Sequence, residues 1–143
     1  MPPTSKPLSD ADYTRLADFR HALRRFLEFS ETAASNEGLT PRQHQALLAI
    51  RGNPGSSMSV GLLAERLRIR PNTAAELSKR LEQAGLIRRG IHADDKRVAT
   101  LELTDDARAK LEALSQAHRT ELARIKPVIV QLMDSLEAGG GIQ

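Results

Sequence analysis

The sequence predicts a mainly α-helical protein that carries one small β-hairpin. Apolar residues make up 40% of the chain but aromatic residues only 3%, so the core must consist mainly of Leu, Ile, Val and Ala, a composition that favours helices. Most apolar residues recur three and four positions apart, as in amphipathic helices. The stretch IRRGIHADDKRVATLELT (residues 87–104) differs, because its two ends alternate like strands around a polar middle.

Length and composition limit the possible classes of protein. A chain of 143 residues suits one domain with helical extensions. The absence of cysteine excludes disulfides, thiolate nucleophiles and Cys-based zinc sites. No apolar run approaches the roughly 20 residues of a membrane span, and MPPTSKPLSD lacks the apolar segment of a signal peptide. We therefore expect a cytoplasmic protein that does not enter a membrane.

The first two helices have clear starting signals. Residues 1–8 contain three prolines and are expected to be a disordered lead-in. Ser9 is expected to cap a long helix that ends near Ser35. Thr40-Pro41 opens a second helix, because proline is well tolerated in the first turn, and the GNPG stretch at 52–55 ends it. The apolar face of the first helix contains Leu16, Phe19, Leu23, Phe26 and Leu27.

The middle of the chain predicts a helix-turn-helix followed by a hairpin. A short helix capped by Ser59 is joined by a turn at 68–71 to a second helix, from about Asn72 to Ala84. Strands are expected at 86–91 and 98–103. Because an isolated two-stranded hairpin is marginally stable in water, this hairpin should pack beside the helices as a wing. The prediction is a winged helix-turn-helix.

The C-terminal part predicts two further helices. One begins at Asp105 and ends at Pro127, since proline disrupts a helix interior; the other follows and gives way to a flexible tail at 139–143. The apolar stripes of the first and last helices exceed what a small monomer is expected to cover, which favours a homodimer. The alternative is that the stripes pack against each other within one chain.

The charge distribution indicates a polyanionic partner. The chain carries a net charge of +3, but residues 66–97 contain nine Lys or Arg against four acids, a local charge of +5. Arg88 and Arg89 alternate across the first strand, so only one should face DNA, and Arg89 is the candidate. On the second helix of the motif, the candidate DNA-binding residues are Arg70, Asn72, Thr73, Lys79 and Arg80.

Two side-chain roles on this helix have alternatives. Asn72 and Thr73 could cap the helix rather than contact bases. Glu76 could accept a hydrogen bond from cytosine N4, or it could pair with Lys79 or Arg80 along the helix. We favour the intrahelical pair.

The hairpin tip supplies further candidate DNA contacts. Arg97 is expected to reach a minor groove or the backbone, with Lys96 on a phosphate. Asp95 would position the Arg97 guanidinium through a charge-assisted hydrogen bond. The alternative is a surface ion pair between Arg97 and Asp94 or Asp95, which would contribute little on its own.

Three segments together resemble the MarR family of bacterial transcription regulators: LTPRQHQALLAI, SVGLLAERLRIRPNTAAELSKRLEQAGLIRR and DDKRVATLELT. The hairpin fits the family pattern D-x-R-x-x-x-L-x-L-T from Asp95 to Thr104. The resemblance implies dimerisation helices at 9–37 and 105–138 around a DNA-binding domain at 39–104. It also implies two recognition helices and two wings that bind a palindromic operator of double-stranded DNA.

The resemblance further implies a repressor that a small aromatic or phenolic acid releases from DNA. Phe26 and His44 are the candidate effector-pocket residues. The histidines (His21, His44, His92 and His118) show no metal-ligand spacing, so neither a metal nor another cofactor is expected. His118 should instead be a hydrogen-bonded, partly buried residue. The absence of cysteine also excludes peroxide sensing through a reactive thiol.

Two other classes of function compete with this interpretation. The basic face could dock an acidic protein surface, or bind DNA architecturally without sequence preference. An enzyme with His44 or His118 as base is disfavoured, because no Ser, Cys or paired carboxylate stands at a catalytic spacing. We therefore do not expect an enzyme.

Overall fold

The computed structural model describes residues 6–91 and 98–140 and confirms a mainly helical fold with a small antiparallel sheet. A short 3-10 turn, Pro54–Ser56, precedes the first strand. The elements in chain order are α1 (Asp10–Asn36), α2 (Pro41–Gly52), β1 (Ser57–Ser59), α3 (Val60–Leu67), α4 (Pro71–Gln83), β2 (Ile87–Ile91), β3 (Ala99–Leu103) and α5 (Asp105–Gly140).

The described chain forms two compact units. Residues up to Thr32 and from Ala117 onward form the helical unit, and Ala33–Gln116 forms the winged unit. The winged unit extends beyond the predicted 39–104 because the end of α1 and the start of α5 join its core. The core residues that these helix ends supply are Ala34, Ala107, Leu111 and Leu114.

Capping side chains fix where the helices of the winged unit begin. The Gln43 amide donates to Thr40 Oγ1 at 3.1 Å, and the Thr40 amide donates to Gln43 Oε1 at 3.0 Å. This reciprocal box satisfies two backbone groups that a helix start otherwise leaves unpaired. Ser59 Oγ accepts from the Leu62 amide at 3.1 Å in the same way. The predicted starts of α2 and α3 are confirmed.

The predicted hairpin is confirmed as β2 and β3, and a third strand that was not predicted, β1, completes the sheet of the wing. The strand order is β1-β3-β2, with Leu101 of β3 opposite Met58 of β1 and Arg89 of β2. No strand was predicted at Ser57–Ser59, because three residues are too few to show strand periodicity. This third strand gives the hairpin the lateral support that it needs in water.

The turn between α3 and α4 places Arg68 in the left-handed region, at φ 57° and ψ 44°. Its backbone N–H bonds to the carbonyls of Ala64 and Glu65, which caps the C-terminus of α3. This conformation costs a non-glycine residue roughly 1–2 kcal/mol. The helix-turn-helix thus contains a strained residue in its turn.

Replacing Arg68 with glycine is expected to raise the free energy of unfolding by about 1 kcal/mol or less, because glycine removes that strain but gains freedom in the unfolded chain. Urea unfolding at fixed protein concentration measures the change. Arg66→Gly is the matched control, since Arg66 lies in right-handed helix and glycine there should cost about 1 kcal/mol. A loss of stability in both variants would contradict the prediction.

Polar contacts within the helical unit tie the start of α1 to the far part of α5. The Ser9 amide donates to Asp12 Oδ2 at 2.9 Å and the Asp12 amide donates to Ser9 Oγ at 3.2 Å, which confirms Ser9 as the predicted cap. The Ser135 hydroxyl donates to Asp12 Oδ1, and Arg15 Nη1 donates to Gln131 Oε1 at 3.3 Å. The hydrogen bond from Ser135, followed by those from Ser9, lowers the pKa of the buried Asp12 carboxyl.

Asp12 is expected to make stability pH-dependent in acid. Because folding lowers its pKa, its contribution is complete above the unfolded value of about 4 and is lost as the pH falls through the folded value. Urea unfolding of the wild type and of Asp12→Asn between pH 7 and pH 3 should therefore show a shallower acid loss in the variant. Equal steepness in the two proteins would contradict this role.

Helix α5 is continuous through Pro127, so the prediction of two C-terminal helices is wrong. Proline removes one backbone hydrogen bond and normally ends or kinks a helix. Here the segment beyond it is held to α1 by Ser135 and Gln131 and by burial of Leu132. The helix also reaches Gly140, inside the predicted tail. Among the described residues, no helix has both the length and the apolarity to cross a membrane.

Candidate nucleic-acid interface

Helix α4 has one buried face and one exposed face. Its cap is Arg70, whose side chain makes no capping hydrogen bond, and Pro71 is the first helical residue. Asn72 and Thr73 lie inside the first turn, which rules out the alternative that they cap the helix. The buried residues are Ala74, Leu77, Ser78 and Leu81.

The exposed face of α4 borders a groove of about 460 Å³. Asn72, Thr73 and Arg80 line it, so three of the predicted contacts meet there. Arg42, in the first turn of α2, lines the same groove. Arg42 was not among the predicted contacts, because α2 and α4 are separate in the sequence and only the fold brings Arg42 to this groove. The complete lining is Arg42, Asn72, Thr73, Glu76, Leu77 and Arg80.

The cations around this face are available to an external partner. Arg70, Lys79 and Arg80 are exposed. Within residues 6–91 and 98–140, none of them forms an ion pair or a side-chain hydrogen bond. Guanidinium and ammonium groups in this state can bind phosphate oxygens, and guanidinium can also read guanine in the major groove.

Glu76 does not form the favoured intrahelical pair. In the part of the chain that the structure describes, its carboxylate lies within ion-pair distance of neither Lys79 nor Arg80. Such pairs stabilise a helix by only about 0.2–0.5 kcal/mol, which is too little to fix the side chain by itself. The carboxylate instead lines the groove.

Arg88 and Arg89 are both exposed, and which of them faces DNA stays a prediction. Arg88 Nε lies 3.5 Å from Glu102 Oε2 on the paired strand β3. Arg89 Nε lies 3.3 Å from Glu82 Oε1 near the end of α4. The side chain of Arg89, a predicted DNA contact, is therefore ion-paired with α4, and this pair joins wing and helix.

The tip of the wing lies outside the described residues. Asp95, Lys96 and Arg97, which carry the predicted minor-groove contact and its positioning, all fall there, as do Asp94 and His92. Their roles stay predictions.

The two candidate effector residues lie in different units. Phe26 of α1 is half-buried, and its ring packs edge-on to the His118 ring with centroids 5.6 Å apart. Phe29 contacts the same imidazole at 5.4 Å, and His118 Nε2 lies 2.8 Å from Ser30 Oγ. His118 is thus hydrogen-bonded and partly buried, as predicted. His44 is buried in α2 of the winged unit.

No metal-binding group of three or more His, Asp or Glu side chains occurs in residues 6–91 and 98–140. Among the described residues of the winged unit, the face of α4 and its groove combine exposed cations with hydrogen-bonding side chains.

Comparison with known proteins agrees with this architecture. A sequence model of the MarR family matches residues 37–98. The HTH-type transcriptional repressor MdtR of Bacillus subtilis (strain 168) is 31% identical over 117 residues, which cover 82% of this chain and 72% of MdtR.

Solved structures show the same fold. The YusO protein from Bacillus subtilis aligns with a TM-score of 0.62 and 26% identity over 78% of each chain. A MarR variant from E. coli, solved in complex with operator DNA, aligns with a TM-score of 0.63 and 18% identity over 83% of this chain and 88% of that one. The resemblance seen in the sequence is confirmed, and the chain belongs to the MarR family of winged helix-turn-helix transcriptional regulators.

Proposed function

We propose that the protein is a homodimeric, sequence-specific DNA-binding repressor of transcription that recognises a palindromic operator. The observation that carries this proposal is the exposed face of α4, where cations and small hydrogen-bonding groups stand together without ion-pair partners in the described residues. An α-helix with side chains, about 10–12 Å across, fits a major groove about 12 Å wide.

Each kind of side chain on this face can bind either the phosphates or the base edges of a DNA duplex. Arg70, Arg80 and Arg42 can bind phosphates or guanine, and Asn72 can bind adenine through two hydrogen bonds. Lys79 and the backbone amides of the first turn can hold phosphates. A surface that combines positioning groups with base-reading groups favours sequence-specific binding over purely electrostatic binding.

Exposed apolar side chains of the helical unit support a homodimer. The predicted stripes are partly covered within the chain, since Leu132 is buried and Phe19 and Leu23 are half-buried. Other apolar residues of α1 and α5 stay exposed, and such surfaces commonly form interfaces between subunits. They include Leu27, Leu122, Ile129, Val130 and Met133.

The relatives support the regulatory role. MdtR is named a transcriptional repressor, and the E. coli MarR variant was crystallised with operator DNA. We extend both properties to this chain as part of the proposal. Release by a small aromatic or phenolic acid, with Phe26 and His44 as contacts, belongs to the same proposal.

The proposal is tested by selecting duplexes from a random pool with the purified protein and by measuring its mass in solution. We expect a dimer and an inverted repeat whose half-site centres are roughly 34–36 Å apart, about one helical turn. Enrichment of no sequence, with binding that weakens steeply with salt, would contradict the proposal and favour an architectural module.

A further inference from the structure

Glu76 is the acidic residue on the DNA-facing side of α4. It lines the groove with Asn72, Thr73 and Arg80, one helical turn from each of them. It is exposed, and no side-chain hydrogen bond or ion pair holds its carboxylate within the described ranges 6–91 and 98–140. Its position places the carboxylate in the middle of the surface proposed to enter the major groove.

The other acid of α4 behaves differently. Glu82 binds Arg89 at 3.3 Å and thereby joins the helix to the wing. Glu82 therefore has a structural partner. The carboxylate of Glu76 is therefore available to bind DNA.

A carboxylate at this position opposes non-specific DNA binding, because it is repelled by phosphates and accepts hydrogen bonds only. Base edges in the major groove offer donors only at the exocyclic amines. Adenine presents its amine beside the acceptor N7, which also repels a carboxylate, whereas cytosine N4 has no such neighbour on its own edge. Cytosine is therefore the base whose hydrogen bond best offsets the repulsion of the Glu76 carboxylate.

We infer that Glu76 is a specificity-determining residue that accepts a hydrogen bond from cytosine N4 in each half of the operator. This inference rests on the proposed function and names a base contact within the same surface. The negative charge of Glu76 lowers the affinity of the protein for DNA of random sequence. The hydrogen bond from cytosine N4 restores that affinity where cytosine lies opposite Glu76.

The test repeats the duplex selection with wild type, Glu76→Gln and Glu82→Gln. Glutamine keeps the length of the side chain but can donate as well as accept, and it suits adenine. We expect Glu76→Gln to lose the preference for cytosine at one symmetric position per half-site by about tenfold, with adenine gaining. Its affinity for random duplex should rise.

Glu82→Gln is the matched control, because it makes the same change on the same helix at a carboxylate with a structural partner. It should leave every base preference unchanged. Thermal unfolding of both variants checks that the fold is retained.

Three results would overturn the inference. In one, Glu76→Gln selects the same repeat with the same relative affinities, even if all affinities rise together. In another, the preference changes where the wild type favours a base other than cytosine. In the last, Glu82→Gln produces the same change. If wild type itself selects no sequence, the proposed function fails instead, so the two failures are distinguishable.

Discussion

Replacing Leu101 with alanine is expected to lower the free energy of unfolding by about 2–5 kcal/mol. Leu101 is fully buried on β3, the central strand, and belongs to the same core cluster as Leu47, Leu63 and Leu81. The truncation removes apolar contacts and leaves a cavity between the sheet and the helices. Small domains have a total stability of about 5–15 kcal/mol, so this one change would remove a large share.

Urea unfolding at fixed protein concentration measures the loss, since dimer stability depends on concentration. Ile91→Ala is the control, because Ile91 lies on the same sheet but is 71% exposed, and surface changes are usually within about 0.5 kcal/mol. If the two variants lost the same stability, the sheet would not pack on the helices as described.

The double variant Arg70→Ala/Arg80→Ala is expected to weaken operator binding by about 10- to 100-fold. Both guanidinium groups flank the exposed face of α4 and form no ion pair among the described residues. If both bind phosphate, the slope of log affinity against log salt should fall by about 2. Fluorescence anisotropy with a labelled operator at several salt concentrations gives both quantities.

The control removes the same charge from α5 of the helical unit through Arg119→Ala/Lys126→Ala. Both positions are exposed, and neither is a proposed DNA contact. We expect a much smaller change in slope for this pair. An equal change in both double variants would mean that net charge, rather than the face of α4, governs binding.

Much of the fold could be predicted because its signals are local. The start of α2 was predicted from Thr40-Pro41, which are neighbours in sequence, and the capping box of Thr40 with Gln43 confirms it. Strand β1 was not predicted, because Ser57–Ser59 becomes a strand only by pairing with distant β3. The continuity of α5 across Pro127 likewise depends on contacts with α1 that a local helix rule ignores.

The candidate site was predictable in part for the same reason. The outward face of α4 follows from its apolar spacing, so Asn72, Thr73 and Arg80, which line the groove, could be placed on that face from the sequence. Arg42 was missed because it lies on another helix. The ion pair between Arg89 and Glu82 was not predicted, because the two residues come close only in the folded chain. Exposure follows from periodicity, whereas side-chain partners depend on tertiary contacts.

The most direct test of sequence-specific binding compares two dissociation constants at 150 mM salt, one for the selected operator and one for a scrambled duplex of equal length and composition. Specific regulators bind their sites typically about 10³- to 10⁷-fold more tightly than other DNA. We therefore expect a ratio of at least about 10³. A ratio near one would contradict the assignment of the α4 face to reading DNA sequence.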